Sequence, residues 1–471
     1  MDKTLIENAS EEIINSSLSL GADQAEVFAT KSRILLGRFM NRQQEVEERE
    51  AQGIGLRIIK DHGVAFVSSS SFDEKSLVSL VDRALKIAKT IKMPFGMHFP
   101  SPSRPSSVDG LFDKKIDELN TAELIDSMDI MVSSARDYNN SIKEASGCLR
   151  AVSQETWISN SNGLEVSTTE TFFESYISVL AKQQTEEAEG FDSTGGRAWR
   201  AFFPEELSRN ASRMAKSGFH PSRIESKEYQ LVLGHEPTAE ITSLLNALTS
   251  SLLSRQYYPT FRVSENNKIA SEKFSFFDHQ DKPSGYGAVT FDDEGIPARK
   301  IPLIVEGEFV SFIYDTLNSL VEGKSVTGGA NRNPLKYPLM SNVRNPPIGL
   351  LPRRNHSAPP DPIGLNPSIQ PGSEKKEEMI SETKDGLLVE MMHYPGRTTK
   401  DFSAILRMGL SKIENGEIAG RIESCRFVAD IVKMLGDIDM ISSEQRVSGS
   451  WFSGMHEAPV IRTKARIFSL T

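Results

Sequence analysis

Three side chains within one stretch, Leu231 to Gln256, have the types and spacing for chemistry: His235, Glu236 and Glu240, in the pattern H-E-x-x-x-E. An imidazole beside a carboxylate can hold a metal ion or move a proton. The zinc-peptidase helix H-E-x-x-H sets two imidazoles four residues apart on one face. Here only Glu236 and Glu240 have that spacing, and His235 falls one residue before it. Two readings stand. In one, the three residues form part of a metal site. In the other, the two glutamates complement a helix dipole while His235 hydrogen-bonds in a turn.

The elements that must position them are legible around the motif. Leu231-Val232-Leu233 reads as a buried strand end, Gly234 turns the corner, and Pro237 suits the first helical position, where no backbone N–H is needed. Ile241, Leu244, Leu245, Leu248 and Leu252 then recur at helical spacing, so one face of this helix belongs to a core. On this reading His235 precedes the helix, and helical spacing does not fix its direction.

The chain has 471 residues, enough for two or three domains with sizeable cores. A net charge of −10 argues against a non-specific binder of nucleic-acid phosphates, which needs a basic face. Cys148 and Cys425 make neither a C-x-x-C nor a disulfide framework, which suits a reducing compartment. The polar N-terminus and the lack of any run of eighteen apolar residues point to a cytoplasmic protein with no membrane partner.

Along the chain, Asp2–Leu20 and Ser71–Ile91 read as amphipathic helices, with Ala25–Ala29, Arg33–Phe39 and a hairpin around Lys60-Asp61-His62-Gly63 between them. The charge run Glu45–Glu50 reads as a solvated strand or turn. Met93 to Ser107 is rich in proline and serine and reads as a linker. A helix over Thr121–Tyr138 follows, then long strands across Gly147–Ala181, turned at Ser159-Asn160-Ser161-Asn162-Gly163. Thr185–Gly196 reads as a loop and Phe203–Ser217 as a helix. Beyond the central helix, strands are expected at Ala288–Thr290, Leu303–Val305, Phe309–Tyr314, Gly386–Met392, Ala404–Glu414, Glu417–Ile422 and Lys464–Leu470. A helix is expected near Phe427–Leu435, and proline-rich Asn331–Ser373 is expected to be irregular. Gly323-Lys324-Ser325 lacks the rest of a phosphate loop. The expected fold is α+β: an N-terminal antiparallel sheet with helices on one face over residues 1–220, then a β-rich domain over 221–471 carrying the His235-Glu236 helix.

From Phe291 to Arg332 the residues become specific: FDDEGIPARKIPLIVEGEFVSFIYDTLNSLVEGKSVTGGANR. This block resembles the TldD/PmbA family, also called modulators of DNA gyrase and regarded as metallopeptidases or their partner subunits. Gly386 to Gly420, with its Asp401-Phe402-Ser403 and Ile413-Glu414-Asn415-Gly416-Glu417, and the Ser159–Gly163 turn match further family blocks, so the resemblance spans nearly the whole chain. Read locally, Gly295 and Gly416 are hairpin turns, and Asp292, Asp293 and Glu294 are expected to be solvated carboxylates at such a turn.

In the TldD-like branch of this family, H-E-x-x-x-H and a cysteine near the C-terminus make a zinc site. Here His235 and Glu236 match the first two positions, while Glu240 replaces the second histidine. Val447-Ser448-Gly449-Ser450-Trp451 stands where the cysteine is expected, no cysteine lies beyond Cys425, and His456 is the nearest replacement. The departure resembles the PmbA (TldE-like) branch. It implies a partner subunit of a peptide-degrading heterodimer whose zinc is held by a TldD-like catalytic sibling. Two alternatives stay open. One is a self-sufficient metallopeptidase with His235, Glu240 and His456 as ligands and Glu236 as general base. The other is a peptide-binding or regulatory module without hydrolysis.

Overall fold

A computed structural model describes residues 3–90, 92–94, 96–262, 267–332, 354, 356–397, 401–450 and 454–470. The first half is built on a six-stranded antiparallel sheet of unusually long strands. These are β1 (Gln24–Met40), β2 (Gln43–Lys60), β3 (Gly63–Ser69), β4 (Ile142–Asn160), β5 (Glu165–Gln183) and β6 (Glu186–Gly196), in the order β3-β2-β1-β4-β5-β6. Asp61 and His62 both take positive φ, so β2 and β3 join through a two-residue turn whose twist matches the strands. Two expectations change here. Ala25–Ala29 and Arg33–Phe39 are one continuous strand, β1, and the supposed loop at Thr185–Gly196 is the edge strand β6. Its glycine content has a packing reason: a Cβ on Gly190 would stand 2.0 Å from the Ala211 carbonyl oxygen, so only glycine admits the overlying helix.

Four helices cover one face of this sheet: α1 (Lys3–Ser19), α2 (Glu74–Ala88), and, after the short α3 (Lys114–Asp117), α4 (Thr121–Tyr138) and α5 (Pro204–Lys216). Asp73 caps α2, and Asn120 with Glu123 forms a capping box on α4. Strand alternation sorts β1 cleanly. Its odd residues Ala25, Val27 and Ala29 pack against α1 and α2, and Leu35 and Phe39 pack against α4 and α5. Its even residues face the second half of the chain, Phe28 meeting Phe291 and Ile34 meeting Tyr286 and Met455. The body of β1 is therefore buried on both sides.

The second half opens with β7 (Lys227–Leu233) and α6 (His235–Leu248). A small sheet follows, formed by β8 (Phe276–His279), β9 (Lys300–Val305), β10 (Glu308–Phe309) and, later in the chain, β13 (Pro367–Ile369). Between them β11 (Ala330–Asn331) pairs with β12 (Asp361–Pro362). The larger sheet runs β15-β16-β19-β21-β7-β14-β17-β18, with β20 paired to β21. Its strands are β14 (Asp385–Val389), β15 (His393–Arg397), β16 (Asp401–Leu406), β17 (Leu410–Glu414), β18 (Glu417–Arg421), β19 (Cys425–Asp430), β20 (Met440–Ser450) and β21 (Gly454–Ser469). β7 runs parallel to β14 and antiparallel to β21.

This half is β-rich as expected, with local differences. Phe427 lies in β19, and the helix there begins at Ile431. Ala404–Glu414 is two strands broken at Gly409, whose φ of 58° needs glycine. Ala288–Thr290 is not a strand, and β20 was not anticipated. Residues 333–353 of the proline-rich stretch, Ile91 and Trp451 lie outside the described residues.

Candidate functional site

The candidate site lies at the head of α6. β7 is fully buried at Leu231, Val232 and Leu233, and Gly234 donates its N–H to the Val389 carbonyl of β14 at 2.8 Å. That bond fixes the corner. The helix begins at His235, two residues earlier than the sequence suggested, and its first backbone bond runs from Thr238 N–H to Gly234 O at 3.1 Å. Pro237 thus sits third in the helix, still within the turn whose N–H groups have no helical partner. His235 is a helical residue, so its direction is set by the helix after all. From Glu236 to Leu248 every residue of α6 is buried.

His235 Nδ1 lies 2.8 Å from the Ala458 carbonyl oxygen of β21. A carbonyl only accepts, so Nδ1 carries the proton and Nε2 carries the lone pair. Burial pulls the His235 pKa below the ordinary histidine value, with Arg446 and Lys376 adding to the effect against the bond to Ala458. Glu236 Oε2 accepts the Met392 N–H at 2.9 Å. Burial first, and Glu240 second, push Glu236 well above the usual carboxylate range. Glu240, one helical turn on, is fully buried. His456 is buried on β21, opposite Ser448 of β20 and two residues before Ala458.

The structure thus places His235, Glu236 and Glu240 on one helix and ties His235 to the strand that carries His456. It does not gather them into a ligand set. Among the described residues no group of three His, Cys, Asp or Glu side chains is close enough to hold a metal ion. Cys148 and Cys425 are both buried, and burial raises their thiols to about 12 and about 11. A zinc site wants three or four converging donors. The described residues do not meet that requirement.

The carboxylates of the Phe291 block are a plain correction. Asp292, Asp293 and Glu294 were expected to be solvated, yet all three are fully buried. They sit where the even face of the N-terminal sheet meets the second half, and arginines from both halves draw them in. Arg57 of β2 bridges Glu26 at 2.8 Å and Glu294 at 2.7 Å. Arg332 reaches Glu26 at 2.7 Å, and Arg354 reaches Asp293 at 3.2 Å. Glu294 also accepts from Thr316 N–H at 2.9 Å and from its hydroxyl at 2.6 Å. Asp292 accepts N–H bonds from Glu294, Ile296 and Ala330, while burial and Glu294 push it up to about 8. Reading the turn alone missed this network. The available signal was that the F-D-D-E-G block and Ala330-Asn331-Arg332 lie in the one stretch that carries the resemblance.

Comparison with known proteins bears on this geometry. Sequence models of the PmbA/TldA metallopeptidase match three successive parts of the chain: domain 1 over residues 25–88, the central domain over 114–219 and the C-terminal domain over 226–465. The chain is 27% identical over 292 residues to an uncharacterized protein, MJ0231, of Methanocaldococcus jannaschii, a match covering 61% of this chain and 66% of that protein. It is 21% identical to a metalloprotease TldD homolog of Buchnera aphidicola, covering 84% of this chain and 80% of that one. The crystal structure of TldE from Thermococcus kodakarensis shares the fold, with a TM-score of 0.81 at 20% identity over 98% of this chain and 100% of the other. Among the described residues no helix is long and apolar enough to cross a membrane.

Proposed function

The chain belongs to the PmbA/TldD metallopeptidase family, and from that premise we propose that it is the partner subunit of a zinc-dependent, peptide-degrading complex of the cytoplasm. The zinc and the hydrolytic chemistry then belong to a TldD-like sibling, and this chain makes no direct contact with nucleic acid. One observation carries the reading: the donor set at the head of α6. His235 spends Nδ1 on a backbone carbonyl, and Glu236 is buried and accepts a backbone N–H. These residues fix the corner between β7, α6 and β21. The TldD and TldE names of the similar proteins favour a pairing of two such chains.

The test is Glu236→Gln in the complex reconstituted with the sibling. Turnover of a peptide substrate should stay within about twofold, because Gln has the same shape and its amide oxygen still accepts the Met392 N–H. A fall of about a hundredfold, the size expected on losing a general base, would move the chemistry into this chain.

A second reading has one observation in its favour. The Nδ1–H bond to Ala458 leaves the His235 Nε2 lone pair oriented, the arrangement that metal-ligating histidines use. On it, His235, Glu240 and His456 would hold zinc in this chain alone.

A further inference from the structure

The first sheet has an open edge. β2 pairs with β1 from Gln43 to Ile59, but β3 pairs only with Ile54–Lys60. The two-residue turn Asn41-Arg42 makes Met40 and Gln43 a hydrogen-bonded pair, so Gln43, Glu45, Glu47, Arg49 and Ala51 give their backbone groups to β1. The turn at Asp61-His62 does the same for Lys60 and Gly63, so Ile54, Leu56, Ile58 and Lys60 give theirs to β3. The even residues before them, Gln44, Val46, Glu48, Glu50 and Gln52, turn their N–H and C=O groups the same way, past the end of β3. Among the described residues no strand, isolated bridge or other backbone bond takes these groups. The row spans roughly 27 Å from Gln44 to Gln52 at the rise of a β-strand.

The edge is held in place and is acidic. Val46 packs against the core under α4, and the Gln44 side chain donates to Asp129 at 2.7 Å. From Gln43 to Gln52 there are four glutamates and one arginine. Arg49 lies 3.9 Å from Glu47, and Arg33 of β1 bridges Glu48 at 2.7 Å. Glu45 and Glu50 are exposed, and among the described residues neither has an ion pair. Arg38, opposite Glu45, stands one strand inward on β1, away from the row that an added strand would face. Across such a row opposite charges stabilise and like charges destabilise. A second copy of β2 would bring carboxylates against carboxylates, the device by which charged edges discourage self-pairing. A strand carrying lysine or arginine meets no such barrier.

We propose that the edge of β2 over residues 43–52 is a docking surface for an extended, basic segment of another protein, which adds to the sheet as a further strand beside β2. The proposal stands apart from the partner-subunit reading. It is tested by fluorescence anisotropy on the full chain at low ionic strength, with three labelled peptides of equal length. One alternates lysine with valine and threonine, and the second has glutamate in place of lysine. The third is the lysine peptide N-methylated at two adjacent central residues, which keeps its charge and removes a donor from each of its edges. The lysine peptide should bind at least tenfold more tightly than either of the others. Glu50→Pro and Glu50→Thr lose the same charge, but only proline also lacks the outward N–H, a loss that an edge strand tolerates. Glu50→Pro should therefore bind the lysine peptide at least tenfold more weakly than Glu50→Thr, and the peptide series decides the matter alone if the proline variant does not fold. Equal binding of the lysine peptide and either of the others, no binding of any peptide, equal binding by the two folded variants, or a dimer of the parent chain that Glu50→Pro dissociates would each overturn the assignment.

Discussion

Replacing Glu294 by Gln removes one charge from the buried network that joins the two halves of the molecule. Its Oε1 sits 2.7 Å from Arg57, and its Oε2 accepts two bonds from Thr316. The amide keeps one acceptor but turns an NH₂ group toward donors, either Arg57 or Thr316. Arg57 and Arg332 then share the single carboxylate of Glu26. Breaking a buried pair by removing one partner costs about 3–5 kcal/mol, because the remaining charge stays out of water. In a cooperative unit of about 150–250 residues that corresponds to a fall of roughly 6–20 °C in Tm. The control is Glu228→Gln, which removes an exposed pair with Lys433 at 2.7 Å, where solvent screening limits the loss to about 0–1 kcal/mol. Both variants are compared by urea unfolding and by scanning calorimetry. If Glu294→Gln melts within a degree or two of the Glu228→Gln control, the network does not lock the halves together and the reasoning is wrong.

Other expectations follow from the same structure. Burial and Glu240 raise the Glu236 pKa in the fold, whereas in the unfolded chain it ionises near its ordinary value of 4.5. Its contribution to stability is therefore full below that pH and is lost as pH rises toward the higher folded value. Glu236→Gln should flatten this decline, so its urea midpoint relative to the parent should rise as pH is raised above 5; parallel pH profiles would refute the upward shift. Gly190→Val places side-chain atoms against the backbone of α5, where even a Cβ would lie 2.0 Å from Ala211 O and 2.6 Å from Ala215 N. Overpacking of this kind costs about 1–3 kcal/mol, read as a lower Tm; an unchanged Tm would mean that α5 is not seated as described.

The long periodic elements were legible in the sequence because a single physical rule governs each. The helix α4 matches its expected span, and the alternation of apolar residues in β4 and β5 foretold strands. Edge strand β6 was not legible, since acidic and glycine residues look like a loop until α5 requires Gly190. The motif at His235 was visible, but its geometry was not. Pro237 fits the third helical position as well as the first, and only the bond from Gly234 to Val389 decides where the helix begins. The buried acids of the Phe291 block were misjudged because their counter-charges, Arg57, Arg332 and Arg354, come from distant parts of the chain. Local sequence carries no information about such pairing.

On the partner-subunit reading this chain holds no zinc of its own at the head of α6. Elemental analysis of the purified chain alone, set beside its His235→Ala variant, tests it most directly. Well under one equivalent of zinc per chain, with no difference between the two proteins, is the expected result. One equivalent of zinc, retained through dialysis and lost on His235→Ala, would contradict it and assign the metal centre to this chain.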